Sequence, residues 1–400
     1  MVIQLTTTSA GFDSAAAQQF MAAVTDLEPV SGLTHTFYRY PARFSPAFAR
    51  SAIELFSNPG DLIFDGFMGG ATSLVEASVL GRHSIGTDLS ELATFVGRVK
   101  TTSLSDHDLR TITQWADALM VKLNIHRTTR RPKKWIANGY QRNINSLETW
   151  RIRKLLELAI SRLNELPTQA QQDFARCVLL NCGQWALDCR TTIPTTEEFR
   201  RKLRTIFTEM IAGAREYAIA ATNVETLCLH RSVIGVELDP IVTRQNPPRL
   251  ILLSPPYPGV YVLYHRWKVQ GRKETPAPFW VANSLDGSGM AYYTLGDRKQ
   301  QNLRRYFEEI KQAFTSLAKV ANEESWLVQM VGFSNPSWQL PMYLRALGEA
   351  GFIEVKLTDL GNARDGRLWR SVPNRKWFAA YQDTAQSTAR EVVLFHRLSL

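Results

Sequence analysis

Residues 61–65, Asp-Leu-Ile-Phe-Asp, read as a short buried strand that breaks at once into Gly66-Phe67-Met68-Gly69-Gly70-Ala71-Thr72. A helix is expected over 73–80, stopped by Gly81, and a second strand over 84–87 ends in Asp88. This order constrains the fold more than any other stretch, because strand, short helix and strand in so few residues make a right-handed βαβ unit with parallel strands. The glycines let backbone come close to a ligand, and the helix N-terminus offers N–H groups to something anionic. Asp88, at the end of the next strand, is placed to accept hydrogen bonds from ribose hydroxyls. A glycine-rich turn alone is only a turn. The acid that follows it favours a nucleotide-type cofactor.

A second stretch carries the chemistry. Leu250 to Leu253 is an apolar run of strand length that meets Ser254-Pro255-Pro256-Tyr257. Neither proline can donate to a ladder, so the chain stiffens at the carboxyl end of a strand, where open α/β sheets bind ligands. A hydroxyl, a carbonyl and an aromatic face then stand together. Ser254 Oγ and the Pro255 carbonyl can accept from an exocyclic amino group, while Tyr257 stacks on the ring that bears it. The plain alternative is a strand closed by a proline turn with a tyrosine packed nearby. Asn246-Pro247-Pro248, just upstream, has no apolar run before it and Arg249 after it, and fails both requirements.

The remaining chain divides around these two stretches. Residues 1–30 are an N-terminal extension with a helix over 14–27, and a helix over 47–56 precedes the glycine turn. From 101 to 231 strands are absent and helical periodicity dominates, as over 147–163 and 197–217. Beyond 257 the expectation is a long loop to about 299 and a helix over 303–320. Strand 326–331, helix 340–350 and strand 352–357 follow, then strands near 377–381 and 391–396.

Net charge is +10 over 400 residues, which favours a polyanionic partner. Between Lys122 and Lys154 stand ten basic residues and one acid, Glu148, with Trp135, Tyr140 and Trp150 among them. Such a run is usually a solvated face, but its single sign and its aromatics favour contact with a phosphate backbone, led by Arg130, Arg131, Lys133 and Lys134. The 258–299 loop adds Tyr261, Tyr264, His265, Arg266, Trp267, Lys268, Arg272 and Lys273, and reads equally as a recognition loop or a packed lid. Cys177, Cys182, Cys189 and Cys228 lack paired spacing, so buried thiols are expected and no metal site. With no basic leader before an apolar run and no run of membrane-spanning length, the expected place is the cytoplasm, away from membranes.

Taken together, these residues resemble the amino-directed DNA methyltransferases. Ser254-Pro255-Pro256-Tyr257 matches the catalytic (S/D/N)PP(Y/F) motif. Asp65 to Thr72 resembles the cofactor loop D-P-F-x-G-S-G-T, with Gly66, Gly70 and Ala71 in place of proline, serine and glycine. Asp88 matches the ribose-binding acid, the stretch Tyr40 to Phe44 resembles the element before the loop, and the C-terminal EVVLFHR resembles the closing strand.

The resemblance covers 35–100 and 232–398 and implies an α/β fold, a Rossmann-like class I methyltransferase sheet with a large helical insertion. The catalytic domain would comprise 31–100 and 232–400, with 101–231 as the insertion and candidate target-recognition region. It further implies S-adenosylmethionine as cofactor, held by Asp65, Gly66, Phe67, Gly69, Gly70, Thr72, Asp88, Leu89 and Phe44. Double-stranded DNA is the implied partner, contacted also by Arg266 and Lys268, and a cognate restriction or defence protein is a further one. The expected reaction is direct methyl transfer to cytosine N4, with adenine N6 as runner-up. Competing readings are a methyltransferase acting on RNA or a protein glutamine, and a non-catalytic DNA-binding homologue.

Overall fold

Every residue of the strand Leu250–Leu253 is buried, because helices cover both faces of the sheet to which it is central. The computed structural model describes residues 5–26, 28–40, 45–128, 132–259, 266–271, 273–287, 290–296, 303–371 and 390–399. In chain order the elements begin β1 (Leu5–Thr8), α1 (Ser14–Thr25), α2 (Pro46–Phe56), β2 (Leu62–Asp65), α3 (Thr72–Val79), β3 (His83–Asp88) and α4 (Glu91–Thr101). The helices α5 (Asp106–Lys122), α6 (Lys133–Ala137), α7 (Trp150–Ile160), α8 (Gln169–Leu187) and α9 (Thr196–Ala220) follow. Next come β4 (Thr226–His230), β5 (Leu250–Leu253), β6 (Trp267–Val269), β7 (Lys273–Thr275) and α10 (Ala277–Ala282). The last are α11 (Arg304–Val320), β8 (Trp326–Gly332), α12 (Pro336–Glu349), β9 (Phe352–Leu357), β10 (Leu368–Ser371) and β11 (Arg390–Leu398).

The main sheet runs β1-β9-β11-β8-β5-β2-β3-β4, with β10 beside β11. Along that path β11 alone is antiparallel to its neighbours β8 and β9. Side chains alternate across it as a pleated strand requires. Leu250 and Leu252 join Phe20 of α1 and Phe48 and Ile53 of α2 on one face, whereas Ile251 and Leu253 join Phe314 of α11 and Tyr343 of α12 on the other. The helices α5 and α7–α10 form a separate core with α4 and the segment Phe37–Tyr40. Three of them start on reciprocal caps: Ser105 with Asp108, Thr168 with Gln171, and Thr195 with Glu198. This is the expected α/β Rossmann-like sheet with a helical insertion.

Three expectations change. The stretch 101–231 holds a strand after all: β4 lies parallel to β3 at the sheet edge, and its half-exposed side chains hid the apolar signal. Within the expected N-terminal extension, 1–30, β1 pairs with β9 and α1 packs on the sheet. The long loop after Tyr257 contains the β6–β7 hairpin and α10. Helix α12 begins at Pro336 rather than 340, because proline suits the first turn, where its missing N–H has no intrahelical partner to lose. The strand expected near 377–381 lies outside the described residues.

Candidate functional site

Chain order reverses between β2 and β5: from β2 the strands proceed through β3 to β4, while β5 continues the sheet on the other side. That switch point is where an open α/β sheet leaves a crevice beyond its carboxyl ends. The register Ile63↔Leu250 and Phe64↔Ile251 brings the end of β2, at Asp65, beside the end of β5, just before Ser254. The two stretches singled out in the sequence therefore meet at one edge of the sheet.

The turn after β2 is built tightly. Asp65 Oδ1 accepts the Phe67 amide at 3.1 Å and Oδ2 accepts the Ser73 hydroxyl. Thr87 Oγ1 donates to the Gly66 carbonyl at 3.0 Å, and the Met68 amide donates to the Thr87 carbonyl at 3.1 Å. Gly66 lies against Val233, whose Cγ2 would be 2.8 Å from an added Cβ, so the loop needs glycine there. Ala71 sits in the left-handed region at φ 57°, which costs a residue with a Cβ about 1–2 kcal/mol. The Lys100 ammonium, buried in α4, donates to the Gly70 carbonyl at 2.8 Å. Sequence reasoning missed Lys100, whose sole signal was a cation among apolar helix residues.

Asp88 closes the turn. Its Oδ2 accepts the Gly69 amide at 3.0 Å and its Oδ1 the Ser90 amide at 2.8 Å. Burial raises Asp88 to about 6, opposed by those amides and by His230. Burial likewise raises Asp65 to about 7, with the Asp88 charge adding to it against the Ser73 and Phe67 hydrogen bonds. Leu89 is half-buried, and its carbonyl meets His230 Nε2 at 2.9 Å. Phe44 lies outside the described residues.

Across the switch point, Pro255 is buried while Ser254, Pro256 and Tyr257 are half-buried. The Tyr306 hydroxyl donates to the Pro256 carbonyl at 2.8 Å, holding the proline turn from α11. Tyr257 lies over Gly332, where an added Cβ would come 2.8 Å from its Cε2. Its hydroxyl donates to Glu391 Oε1 at 2.8 Å and accepts from Ser254 Oγ at 3.4 Å. Burial, then the Glu391 charge, pushes the Tyr257 phenol well above its ordinary value, so it stays protonated. Glu391 and its partner Arg370 were not anticipated, because nothing in the sequence brings β10 and β11 to this tyrosine.

The basic candidates separate by burial. Lys133 and Lys134 are exposed on α6, and Lys134 Nζ lies 5.6 Å from the Trp135 ring centre. Arg130 and Arg131 lie outside the described residues. Two features of the run belong to the interior instead. Arg153 is buried and paired with Glu157, and Tyr140 is a core residue whose hydroxyl accepts the Asp286 amide at 2.7 Å. Arg266 is mostly covered and bound to Asp286, so its guanidinium is committed within the protein. Lys268 is half-buried, with its backbone tied to Asp188 and Cys189.

Trp267 decides the character of the segment after the tetrapeptide. It is buried against Gly183 of α8, and its Nε1 donates to Tyr38 Oη at 3.1 Å. Trp267, Val269 and α10 thus pack in the helical core, while Tyr261, Tyr264, His265 and Arg272 lie outside the described residues. Cys177 and Cys182 are buried, whereas Cys189 is exposed and Cys228 half-buried, which corrects the expectation of four buried thiols. Among the described residues no cluster of metal-ligating side chains occurs, and no helix is long and apolar enough to cross a membrane.

Residues 21–94, which hold the glycine turn and Asp88, match the family model for N6/N4 DNA methylases. A type II methyltransferase of Kocuria varians, M.MvaI, is 38% identical over 80 residues, 19% of this chain and 18% of that one. Another, M.MjaII of Methanocaldococcus jannaschii, is 35% identical over 66 residues, 16% of this chain and 12% of that one. Over residues 21–94 the chain is similar to the amino-directed DNA methylases. The similarity to these two relatives spans less than a fifth of either, and the family match stops short of Ser254. The rRNA methyltransferase AviRa of Streptomyces viridochromogenes aligns with 96% of this chain and 93% of its own. That alignment has 10% identity and a TM-score of 0.29.

The family uses S-adenosylmethionine, and the residues present fit it. Thr72 Oγ1 and Ser90 Oγ are buried without a partner among the described residues, so both polar atoms await one. Asp88 is an acceptor suited to hydroxyls, and the first turn of α3 suits an anion.

Proposed function

We propose that this chain is an S-adenosylmethionine-dependent DNA methyltransferase acting on the exocyclic amino group of a base swung out of the duplex, cytosine N4 before adenine N6. The observation that carries the reading is the adjacency of the Asp65–Thr72 turn and the Ser254–Tyr257 turn at the switch point between β2 and β5. A cofactor turn and an amine-accepting turn are side by side, as transfer between two bound molecules requires.

S-adenosylmethionine, when bound, supplies a methyl group on a positively charged sulfur that leaves readily. Asp88, Thr72 and the backbone of the Gly66–Ala71 turn would hold it. On the substrate side, an amine conjugated to its ring is a poor nucleophile. Ser254 Oγ and the Pro255 carbonyl accept its two N–H groups and turn its lone pair out of conjugation, while Tyr257 packs against the ring. Positioning supplies most of the rate, and no cysteine nucleophile is needed. The preference for cytosine rests on the residue type at Ser254, serine being commoner among cytosine-N4 relatives. Exposed Lys133 and Lys134, with the positive net charge, support a nucleic-acid substrate.

The test is expression in a host without modification enzymes, followed by mass spectrometry of nucleosides from its genomic DNA and mapping of the modified sites. N4-methylcytosine is expected. N6-methyladenine alone would reverse the base assignment and leave the chemistry standing, and the absence of both would overturn the proposal.

A further inference from the structure

A serine hydroxyl can meet a neighbour either by donating its proton or by accepting one. Ser254 Oγ donates to the Tyr257 oxygen at 3.4 Å. It can do so because the Tyr257 hydroxyl has committed its own proton to Glu391 Oε1 at 2.8 Å. The Glu391 carboxylate is held from its other oxygen by Arg370, through Nε at 2.7 Å and Nη2 at 2.6 Å. Arg370 is fixed in turn, its Nη1 donating to the Val24 carbonyl at 3.1 Å, and the two residues are cross-strand partners in β10 and β11. Both are buried, so the pair is not displaced by water. A charge at one end gives the whole chain of hydrogen bonds a single direction.

We propose that Glu391, held by Arg370, fixes the Ser254 hydroxyl as an acceptor toward the target base and thereby makes the site reject a base that carries a carbonyl where the amine should be. The inference rests on the reading of Ser254 as the residue facing that base. An exocyclic amine donates and is met by acceptors, Ser254 Oγ and the Pro255 carbonyl. The deaminated counterpart, uracil for cytosine or hypoxanthine for adenine, turns an acceptor toward acceptors and leaves them unpaired. A serine free to rotate would donate to that carbonyl and erase the difference. Glu391 and Arg370 are positioning residues, since neither reaches the base.

The experiment measures equilibrium binding, with a non-transferring cofactor analogue present, of duplexes carrying the mapped site with either the amino base or its deaminated counterpart. The wild-type preference for the amino base should fall about tenfold in Tyr257→Phe, the scale of one buried hydrogen bond. That variant keeps the ring over Gly332 and leaves the Arg370–Glu391 pair intact. Glu391→Gln should lower the preference equally, and the double variant no further, because both break the same chain. Should Glu391→Gln fail to fold, Tyr257→Phe decides the matter alone. A preference unchanged in Tyr257→Phe, or absent from a wild-type protein that does methylate DNA, overturns the inference only. A wild-type protein that methylates no DNA overturns it together with the proposed function.

Discussion

Gly69 donates its amide to Asp88 Oδ2 at 3.0 Å, joining the glycine turn to the acid that ends the following strand. The turn is thereby held shut by the carboxylate proposed to accept from the cofactor ribose, so the charge state of Asp88 bears on both.

Asp88→Ala should weaken S-adenosylmethionine binding by roughly 1.5–3 kcal/mol, the cost of losing a charged acceptor, with the protein still folded. Because burial raises Asp88 to about 6, wild-type affinity should hold above neutral pH and decline as pH falls through that value. Stability should respond in the opposite sense. The folded protein takes up a proton that an unfolded aspartate, at its ordinary 3.8, does not, so this group's contribution rises as pH falls from 6 toward 4. Calorimetric titrations between pH 5 and 8, buffer by buffer, check the affinity. A flat profile would remove Asp88 from the cofactor site.

Gly332→Ala should displace the Tyr257 ring, since the new Cβ would stand 2.8 Å from Cε2 and 2.9 Å from Cδ2. Overpacking of this kind costs about 1–3 kcal/mol of stability. DNA methylation should drop more than tenfold by the logic of positioning, while affinity for the cofactor stays at the wild-type level. Single-turnover methylation and denaturant unfolding measure the two effects. Full activity in this variant would show that the ring's place does not matter.

Lys133→Ala with Lys134→Ala should lower the slope of log DNA affinity against log salt by up to about 1.8, two phosphate contacts' worth. Arg153→Ala should leave the slope alone, because its guanidinium is paired with Glu157 inside the protein. It should instead destabilise the fold by about 3–5 kcal/mol through the stranded carboxylate. Fluorescence titrations at several salt concentrations distinguish them. A slope unaltered by the lysine changes would mark α6 as solvated surface.

The sequence by itself determined the elements whose signals are local. Asp65 to Asp88 folds as strand, glycine turn, helix and strand because hydrophobic runs of the right length are punctuated by glycine and an acid. Leu250 to Leu253 followed by two prolines leaves the chain no course but a buried strand that stops. Those two stretches carried the fold class and the residues of the candidate site. Local signals also misled where burial was partial. The sparse apolar pattern of β4 hid an edge strand, and β1, a run of threonines, gave no hint that it joins the sheet.

Only the tertiary structure decided which side chains meet. In the sequence Arg153 and Lys133 are equally basic, yet one is interior and the other faces water, because helix packing and not charge sets their exposure. Trp267 read as part of a basic and aromatic loop until Gly183 and Tyr38 received it in the helical core. Glu391 lies 134 positions after Tyr257 and is brought to it by β11 entering the sheet between β8 and β9. Strand pairing is a contact between distant parts of the chain, and its register is set by the packing of both sheet faces together. The direction of the Ser254 hydrogen bond follows from that pairing, and no pattern in the local sequence encodes it.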